Sequence, residues 1–391
     1  MECLNHLVPD KDTFEASSNG KNGHSMWYPS REISTESLII GALESAFWEM
    51  DQQIGDDKKR YKMLGGCTVL VSLFILGKLY VANAGDSRAC LCRAGGLAYP
   101  MSYDFTPVTE RQRLQQLGYQ KPQLLGSEYT HLDFFGRKPL KDDLGKRMLY
   151  RDAHMTGWAY KDITSDDLRF PLVYGEGKRS RLLATIGVTR GFGDHDLKAQ
   201  SSTGSPVYIK PFLTPQPEVR VLDVENEEVT EGDVLIMATD GLWDVVSNQK
   251  VAQVVDSGLR QTGENIKQDA DVRQKYRFIS IAQELVMAAR GKLVERNWKH
   301  NDDSPATIDD ISVFVIPILP YKVEYAEWRT RPKSMESSSH KTNGLEETGK
   351  HTVGNIADHE MEDFDTAEEV TVSDVNLEIK DEDDEEEEAQ K

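Results

Sequence analysis

Cysteine is scarce in this chain, which has four in 391 residues. They are Cys3, Cys67, Cys90 and Cys92, and the Cys90-Leu91-Cys92 spacing is wrong for a redox or zinc-binding pair. This excludes a secreted scaffold held together by disulfides. We interpret the cysteines as buried thiols of a reducing compartment.

Long apolar runs are also lacking. The longest, Val69 to Leu76, is far shorter than the ~20 residues that cross a bilayer as a helix. The N-terminal segment, Met1 to Phe14, is too polar for a signal peptide. We therefore predict an intracellular protein, cytoplasmic and/or nuclear, with no membrane insertion.

Positive charge is in deficit, since 46 basic residues face 66 acidic ones and the net charge is −20. The segment after Ile356 carries seventeen acidic and two basic residues and ends in the block Asp381 to Glu388. Such a block repels itself and cannot bury apolar surface, so we predict disorder there. No basic stripe is visible, which argues against nucleic acid. A basic partner is the kind of ligand that the acidic tail would take.

Composition divides the chain into three parts. Residues 1–32 are predicted to be a disordered lead-in, 33–330 one folded domain, and 331–391 a disordered acidic tail. Within the domain, the stretch 118–180 is long and irregular, with aromatic residues among charges. Loops of this length inside a domain are usually lids or binding flaps. We expect this insert to shape the recognition of a protein substrate.

The remaining domain mixes predicted strands in hairpin order with a few amphipathic helices, which indicates an α+β fold with antiparallel sheets and helices outside. The predicted helices are Ser34 to Ile54, Thr109 to Leu117, Asn248 to Leu259 and Tyr276 to Val294. The predicted strands are Thr68 to Leu76, Leu79 to Ala84, Ala89 to Arg93, Leu182 to Arg190, Pro217 to Val224, Val234 to Ala238 and Ile311 to Leu319.

Two of these strands point to a candidate site. Val234 to Ala238 is a buried apolar strand that delivers Asp240 at its end, while Asp309-Asp310 directly precedes the strand that begins at Ile311. In antiparallel neighbours the end of one strand lies beside the start of the next. Asp240 and Asp309 are therefore candidate ligands of a hard divalent cation, with Asp244 nearby. The alternative is that these acids cap turns and helices.

Three other polar features suggest sites, and each has a simpler explanation. Asp86 lies in a Gly-Asp-Ser-Arg stretch typical of a hairpin turn, and turn chemistry explains it. His195 lies between two acids in a loop, where a hydrogen-bonded or solvated imidazole is the common case. Gly175 to Lys178 lacks the flanking strand of a phosphate-binding loop and is predicted to be a turn.

Five motifs in chain order resemble a known family. They are Gly65-Gly66-Cys67-Thr68, Val81-Ala82-Asn83-Ala84-Gly85-Asp86-Ser87-Arg88, Ile186 to Asp194, the stretch Asp240-Gly241-Leu242-Trp243-Asp244, and Asp309-Asp310-Ile311-Ser312. Together they resemble the metal-dependent type 2C protein serine/threonine phosphatases. Met148 to Arg151 with Thr156 to Tyr160 is most similar to the H/J/M branch of that family.

The resemblance implies an antiparallel β-sandwich flanked by helices. It implies hydrolysis of phosphoserine and phosphothreonine in proteins by water activated at two or more Mn²⁺ or Mg²⁺ ions. Asp240 and Asp309 match the family's metal ligands, and Asp104 and Asp244 are candidates for a further ion. No nucleophilic residue is needed, and the only predicted catalytic groups are the metal ligands.

One family element has no counterpart in the sequence, namely a strand ending in Asp-Gly-His before the first helix. Asn22-Gly23-His24 is the nearest stretch, but it lacks both the carboxylate and the preceding strand. We therefore expect the fold to be N-terminally incomplete and the metal site to be weakened. The alternative function is a catalytically impaired pseudophosphatase that acts as a binding or regulatory protein. A module defined by the acidic tail alone is the weakest hypothesis.

Overall fold

The structure is a computed structural model, and it describes residues 33–56, 65–200, 205–260, 270–294, 297–300 and 306–331. The chain divides into two units, Met1–Pro332 and Lys333–Lys391, and every described residue belongs to the first. The predicted disordered lead-in and most of the acidic tail lie outside the described residues, so those two predictions stay open.

The described helices and strands follow one another in this order. The helices are α1 (Thr35–Asp56), α2 (Arg111–Gln120), α3 (Asp240–Trp243), α4 (Asn248–Arg260), α5 (Ala270–Arg290) and α6 (Leu319–Thr330). The first nine strands are β1 (Gly66–Cys67), β2 (Val69–Ile75), β3 (Lys78–Ala84), β4 (Arg88–Arg93), β5 (Leu97–Pro100), β6 (Tyr129–Thr130), β7 (Asp133–Phe134), β8 (Arg147–Arg151) and β9 (Ala159–Asp162). The next six are β10 (Phe170–Pro171), β11 (Val173–Tyr174), β12 (Arg181–Leu182), β13 (Phe192–Gly193), β14 (Lys198–Ala199) and β15 (Val207–Tyr208). The last five are β16 (Glu218–Leu222), β17 (Val234–Ala238), β18 (Lys292–Val294), β19 (Asn297–Lys299) and β20 (Val313–Pro317).

Two antiparallel sheets form the centre of the domain. One has the strand order β16-β3-β2 and the other β20-β17-β4-β5. The two sheets pack face to face through alternate residues of their strands. Leu79 and Val81 of β3 belong to one core with Leu91 and Leu235 of the second sheet. The interior of this β-sandwich is therefore made by every second residue of both sheets.

Helices cover the outer face of each sheet. On the first sheet, Tyr80 and Ala82 of β3 pack against Ile39 and Phe47 of α1. On the second sheet, the residues of β17 that face away from the sandwich, such as Ile236, pack against α4 and α5. Because both faces of β3 and β17 are covered, these strands are apolar along most of their length. The predicted antiparallel sandwich flanked by helices is confirmed.

The insert between α2 and β12 has its own folded structure. Strands β7, β8 and β9 form a small antiparallel sheet, and β6 pairs with β10 in parallel. A separate core of buried residues, including Leu125, Leu172 and Leu183, holds this region to α2. We call residues 118–180 the flap. Its short strands lacked a periodic signal in the sequence, so the expectation of an irregular segment was only partly right.

Several predicted boundaries need correction. The strand predicted from Leu182 to Arg190 is wrong: β12 ends at Leu182, and Leu183 and Ala184 adopt positive φ angles that break the strand. The helix predicted to reach Val294 ends at Arg290, where Gly291 adopts a φ of 70° and residues Lys292–Val294 form β18. Helix α6 was not predicted.

The cysteine prediction holds in part. Cys67, Cys90 and Cys92 are free thiols, but only Cys90 and Cys92 are buried, whereas Cys67 is exposed. Partial desolvation of the sulfur, followed by the charges of Asp194 and Asp51, still raises the pKa of the Cys67 thiol. No helix in the described part of the chain is long and apolar enough to cross a membrane.

Candidate metal centre

Three strand ends meet at one rim of the second sheet. Ala238, the last residue of β17, lies opposite Arg88 at the start of β4 and opposite Val313 at the start of β20. Asp240 follows β17, Asp86 precedes β4, and Asp309 precedes β20, each by a few residues. The antiparallel register therefore brings all three acids to the same edge.

The turn that carries Asp240 is anchored on both sides. Thr239 donates its backbone N–H to the Ser312 carbonyl over 3.1 Å and its hydroxyl to the Asp310 carbonyl over 3.2 Å. A Cβ on Gly241 would lie 2.2 Å from that same carbonyl, so only glycine fits there. Below the turn, Trp243 is buried and donates its indole N–H to the Ala238 carbonyl over 2.9 Å. The Asp-Gly-hydrophobic-Trp sequence thus holds the turn that carries Asp240 in a single conformation.

The turn that carries Asp86 is held by Asn83, which is fully buried. The Asn83 amide donates to the Gly85 carbonyl over 3.3 Å and to the Tyr103 carbonyl over 2.9 Å. The Gly85 carbonyl also accepts the Phe105 N–H over 2.9 Å. The side-chain oxygen of Asn83 is the one buried side-chain polar atom of the described residues that lacks a partner. These bonds tie the Asp86 turn to the loop after β5.

The acids at the rim act on one another electrostatically. Burial, and then the charges of Asp240, Asp104 and Asp244, raise the pKa of Asp86 to about 6, against a smaller opposing effect of a backbone hydrogen bond. Burial, and then the charges of Asp309 and Asp244, raise the pKa of Asp240. Like charges held together in a partly buried place call for a cation. We call Asp86, Asp240, Asp244 and Asp309 the acidic rim.

Asp104, predicted as a ligand for a further ion, is engaged by a cation of the protein. The Arg88 guanidinium donates to both of its carboxylate oxygens, over 2.8 and 2.6 Å. Arg88 also lies over the ring of Trp243, with 5.1 Å between its Cζ and the ring centroid. A bidentate pair of this kind leaves Asp104 less available to a metal ion. Its role as a ligand stays a prediction.

Asp244 faces the flap. The ammonium of Lys178 lies 3.2 Å from one carboxylate oxygen of Asp244 and also donates to its backbone carbonyl. Both side chains are exposed, so this ion pair is screened by water and easily broken. Asp244 is therefore accessible to a metal ion once Lys178 moves.

The residues of the acidic rim fit a hard divalent cation by their chemistry. All of them offer carboxylate oxygens, the donors that Mg²⁺ and Mn²⁺ prefer. Burial, and then the charges of neighbouring acids, raise the pKa of Asp86 and Asp240. Within the described ranges, no three acidic, histidine or cysteine side chains converge as closely as the ligands of a bound ion. A cation at the acidic rim would therefore take part of its shell from water or backbone oxygens, as hard divalent cations commonly do.

Sequence reasoning missed Asp86 as a member of this group. Its place in a turn was recognised, but its position directly before β4 was the informative signal, since β4 pairs with β17.

His195, by contrast, has the predicted structural role. Its Nε2 lies 2.9 Å from the Asp51 carbonyl and 3.2 Å from an Asp51 carboxylate oxygen. The turn predicted from Gly175 to Lys178 leads into a single turn of 3-10 helix, Gly177–Arg179.

Comparison with known families identifies the class of this protein. The family model described as protein phosphatase 2C matches residues 18–126 and 172–291, which together are more than half of the chain. The chain belongs to the protein phosphatase 2C family. The unmatched stretch 127–171 lies inside the flap.

Individual relatives are similar over most of this chain. Protein phosphatase 1H of Mus musculus is 54% identical over 293 residues, covering 75% of this chain and 55% of that protein. Protein phosphatase 1J of Homo sapiens is 52% identical over 294 residues, covering 75% of this chain and 56% of that protein. This similarity agrees with the expected H/J/M branch, and the relatives named here are its H and J members. The chain spans about half the length of these relatives.

Solved structures show a more distant likeness. A serine-threonine phosphatase 2C from Toxoplasma gondii matches with a TM-score of 0.40 and 16% identity, covering 81% of this chain and 78% of that one. A C. elegans sex determining protein matches with a TM-score of 0.42 and 14% identity, covering 76% and 50%.

Proposed function

We propose that this chain is a metal-dependent protein serine/threonine phosphatase that hydrolyses phosphoserine and phosphothreonine in proteins. The observation that carries the proposal is the acidic rim, where one sheet register brings Asp86, Asp240 and Asp309 together in a member of the protein phosphatase 2C family. The retained carboxylates favour catalysis over the alternative of a pseudophosphatase.

The acidic rim would hold two or more Mn²⁺ or Mg²⁺ ions. Asp240 and Asp86 are the first ligands we assign, because they are partly buried and carry raised pKa values. Asp309 and Asp244 complete the rim from the neighbouring strand and from the turn after Asp240. When bound, the ions supply charge neutralisation for the phosphoryl oxygens and lower the pKa of a water molecule.

The rest of the chain positions these ligands. Gly241 lets the turn after Asp240 pass close to the Asp310 carbonyl, and Asn83 holds the turn that carries Asp86. Arg290 of α5 donates to the Asp309 carbonyl over 3.0 Å and so fixes the loop before β20. A ligand set held on three paired strands keeps its geometry when the substrate binds.

Substrates, partners and location belong to the same proposal. Phosphoproteins are the expected substrates, and the flap is expected to contribute to their recognition because Lys178 touches the rim. A basic protein is the proposed ligand of the acidic tail. An intracellular, cytoplasmic and/or nuclear, location fits the free thiols of Cys67, Cys90 and Cys92.

The test is the turnover of a small aryl phosphate with millimolar Mn²⁺ by the wild type and by Asp240→Asn. We expect Mn²⁺-dependent turnover that falls at least a hundredfold in the variant, because the loss of one ligand weakens the site severely. Asp310→Asn is the matched control, since it removes an equal charge from an exposed neighbour without removing a proposed ligand.

Two outcomes would count against the proposal. No turnover by a protein shown by circular dichroism to be folded would favour the non-catalytic alternative. Equal losses in Asp240→Asn and Asp310→Asn would show that the general charge of the rim matters, and not the ligand role of Asp240.

A further inference from the structure

The flap contains a cleft of about 740 Å³ with an excess of positive charge. Its walls are β10, β11, the loop around residue 137 and the turn that follows Tyr174. Five cationic side chains line it against two acidic ones. The cations are Arg111, Arg137, Lys138, Arg169 and Arg179, and the acids are Asp133 and Glu176. A local excess of positive charge is notable in a chain whose net charge is −20.

Two of these cations are already committed to structural ion pairs. Arg111 lies 3.2 Å from a carboxylate oxygen of Asp133, and Arg137 donates to Asp143 over 2.6 Å. Asp133 and Asp143 are themselves well shielded from water, so these pairs hold the walls of the cleft in place.

The other three cations are available to a ligand. Arg169 pairs with Asp166 over 3.1 Å, and the attraction is weak because the acid is 80% exposed. Arg179 is exposed at the edge of the cleft. The ammonium of Lys138 lies 3.4 Å from the centroid of the Phe170 ring. Arginine and lysine in this arrangement suit carboxylate or phosphate groups.

Aromatic rings give the cleft an apolar contact surface. Phe170 is 46% exposed and Tyr174 is 50% exposed, and both line the cleft. Rings that are half exposed beside cations provide contact area for an extended peptide backbone and its side chains. The combination favours a peptide over an isolated inorganic ion.

One turn of the flap connects the cleft to the acidic rim. Arg179 lines the cleft, and the preceding residue, Lys178, contacts Asp244. This turn is held in place, because the Arg181 guanidinium donates to the Lys178 carbonyl over 3.0 Å. A Cβ on Gly175 would lie 2.8 Å from the Arg179 carbonyl, so the turn is also tightly packed. The adjacent residues Lys178 and Arg179 therefore contact the acidic rim and line the cleft, respectively.

We propose that the flap cleft binds an acidic segment of the phosphoprotein substrate, a few residues from the phosphorylated side chain. The phosphorylated residue lies at the acidic rim, while aspartate or glutamate side chains of the same segment meet Lys138, Arg169 and Arg179. This inference rests on the proposed phosphatase function and adds a substrate class to it.

The test compares two phosphothreonine peptides that differ only in their flanks, one carrying glutamates and the other glutamines at the same positions. We expect the wild type to use the acidic peptide with about a five- to thirtyfold higher kcat/KM, mainly through KM, since three exposed charge pairs contribute to binding throughout the reaction. Combined Lys138→Gln, Arg169→Gln and Arg179→Gln substitutions should abolish the preference. Arg147→Gln is the control, because Arg147 is 71% exposed on the flap sheet and does not line the cleft.

Two further measurements separate this inference from the proposed function. Turnover of a small aryl phosphate should be the same in the triple variant and the wild type, and its absence in both would refute the proposed function alone. Binding of a fluorescent, unphosphorylated acidic peptide, followed by anisotropy, tests the cleft without turnover. Equal affinity of the wild type and the triple variant for this peptide would overturn the inference. A wild type that binds vesicles of acidic phospholipid, in a parallel assay, but does not bind the peptide would overturn it too.

Discussion

Replacing Asp86 by asparagine is expected to stabilise the metal-free protein while removing its response to metal. The carboxylate lies among Asp240, Asp104 and Asp244, and burial and these charges raise its pKa to about 6. An unfolded chain releases the same proton near pH 3.9. Above pH 6 the Asp86 carboxylate is therefore ionised in both states. Its charge is less stable in the folded protein than in the unfolded chain, so it lowers the free energy of unfolding.

The size of the effect follows from the difference of about two pKa units, which corresponds to about 3 kcal/mol at 1.36 kcal/mol per unit. Because Asp86 is partly exposed, water screens its charge, and we expect about 1–2 kcal/mol. For a domain of this size that is a rise in Tm of a few degrees. The gain should be complete at pH 7.5 and should shrink as the pH falls below 6. It should vanish below about pH 3, where the wild-type carboxyl is protonated in both states.

Thermal unfolding of metal-free protein at pH 7.5 and pH 4.5, with and without millimolar Mn²⁺, measures this. The wild type should gain stability from Mn²⁺ and Asp86→Asn should not, because binding to the folded state alone raises Tm. Asp223→Asn is a control for which we expect the opposite result, a loss of stability at pH 7.5. Hydrogen bonds from Asn226 lower the pKa of Asp223, so its ionised carboxylate favours the folded state. An Asp86→Asn protein that is less stable than the wild type at pH 7.5 would refute the reasoning.

Two further predictions concern the ion pairs of Lys178 and of Glu110. Lys178→Ala should tighten Mn²⁺ binding about two- to fivefold at low salt, measured by half-saturation of turnover, because it removes a cation 3.2 Å from Asp244. Unchanged half-saturation would contradict this. Glu110→Ala should lower the free energy of unfolding by about 3–5 kcal/mol in urea melts, because buried Glu110 accepts hydrogen bonds from Arg113 and Arg190. Burial raises the pKa of Glu110, but these bonds hold it below its usual range, so the wild type should lose this advantage as the pH falls below about 4. A loss that is equally large at pH 3 would argue against the ion pairs as its source.

The sequence was sufficient to predict the parts of the fold that local patterns determine. The buried strand before Asp240 and the strand after Asp309 were recognisable from short apolar runs, and their antiparallel pairing placed both acids at one rim. Helix α1 was recognisable because Ile39, Leu43 and Phe47 recur at helical spacing and are all buried.

Other parts depended on contacts between distant residues. Nothing local shows that the turn carrying Asp86 faces Asp240, because that depends on the pairing of β4 with β17. The same holds for Arg88, which closes on Asp104 sixteen residues later. The strand predicted up to Arg190 failed since its apolar residues pack into the flap core through a chain with two positive φ angles.

The most direct test of the central claim is a titration of metal-free protein with Mn²⁺, followed by the loss of the free-ion signal in electron paramagnetic resonance. We expect saturable binding by the wild type and by Asp310→Asn, and binding weakened at least tenfold in Asp240→Asn and in Asp86→Asn. Equal binding by all four proteins, or no binding by a folded wild type, would contradict the assignment of a metal centre to the acidic rim.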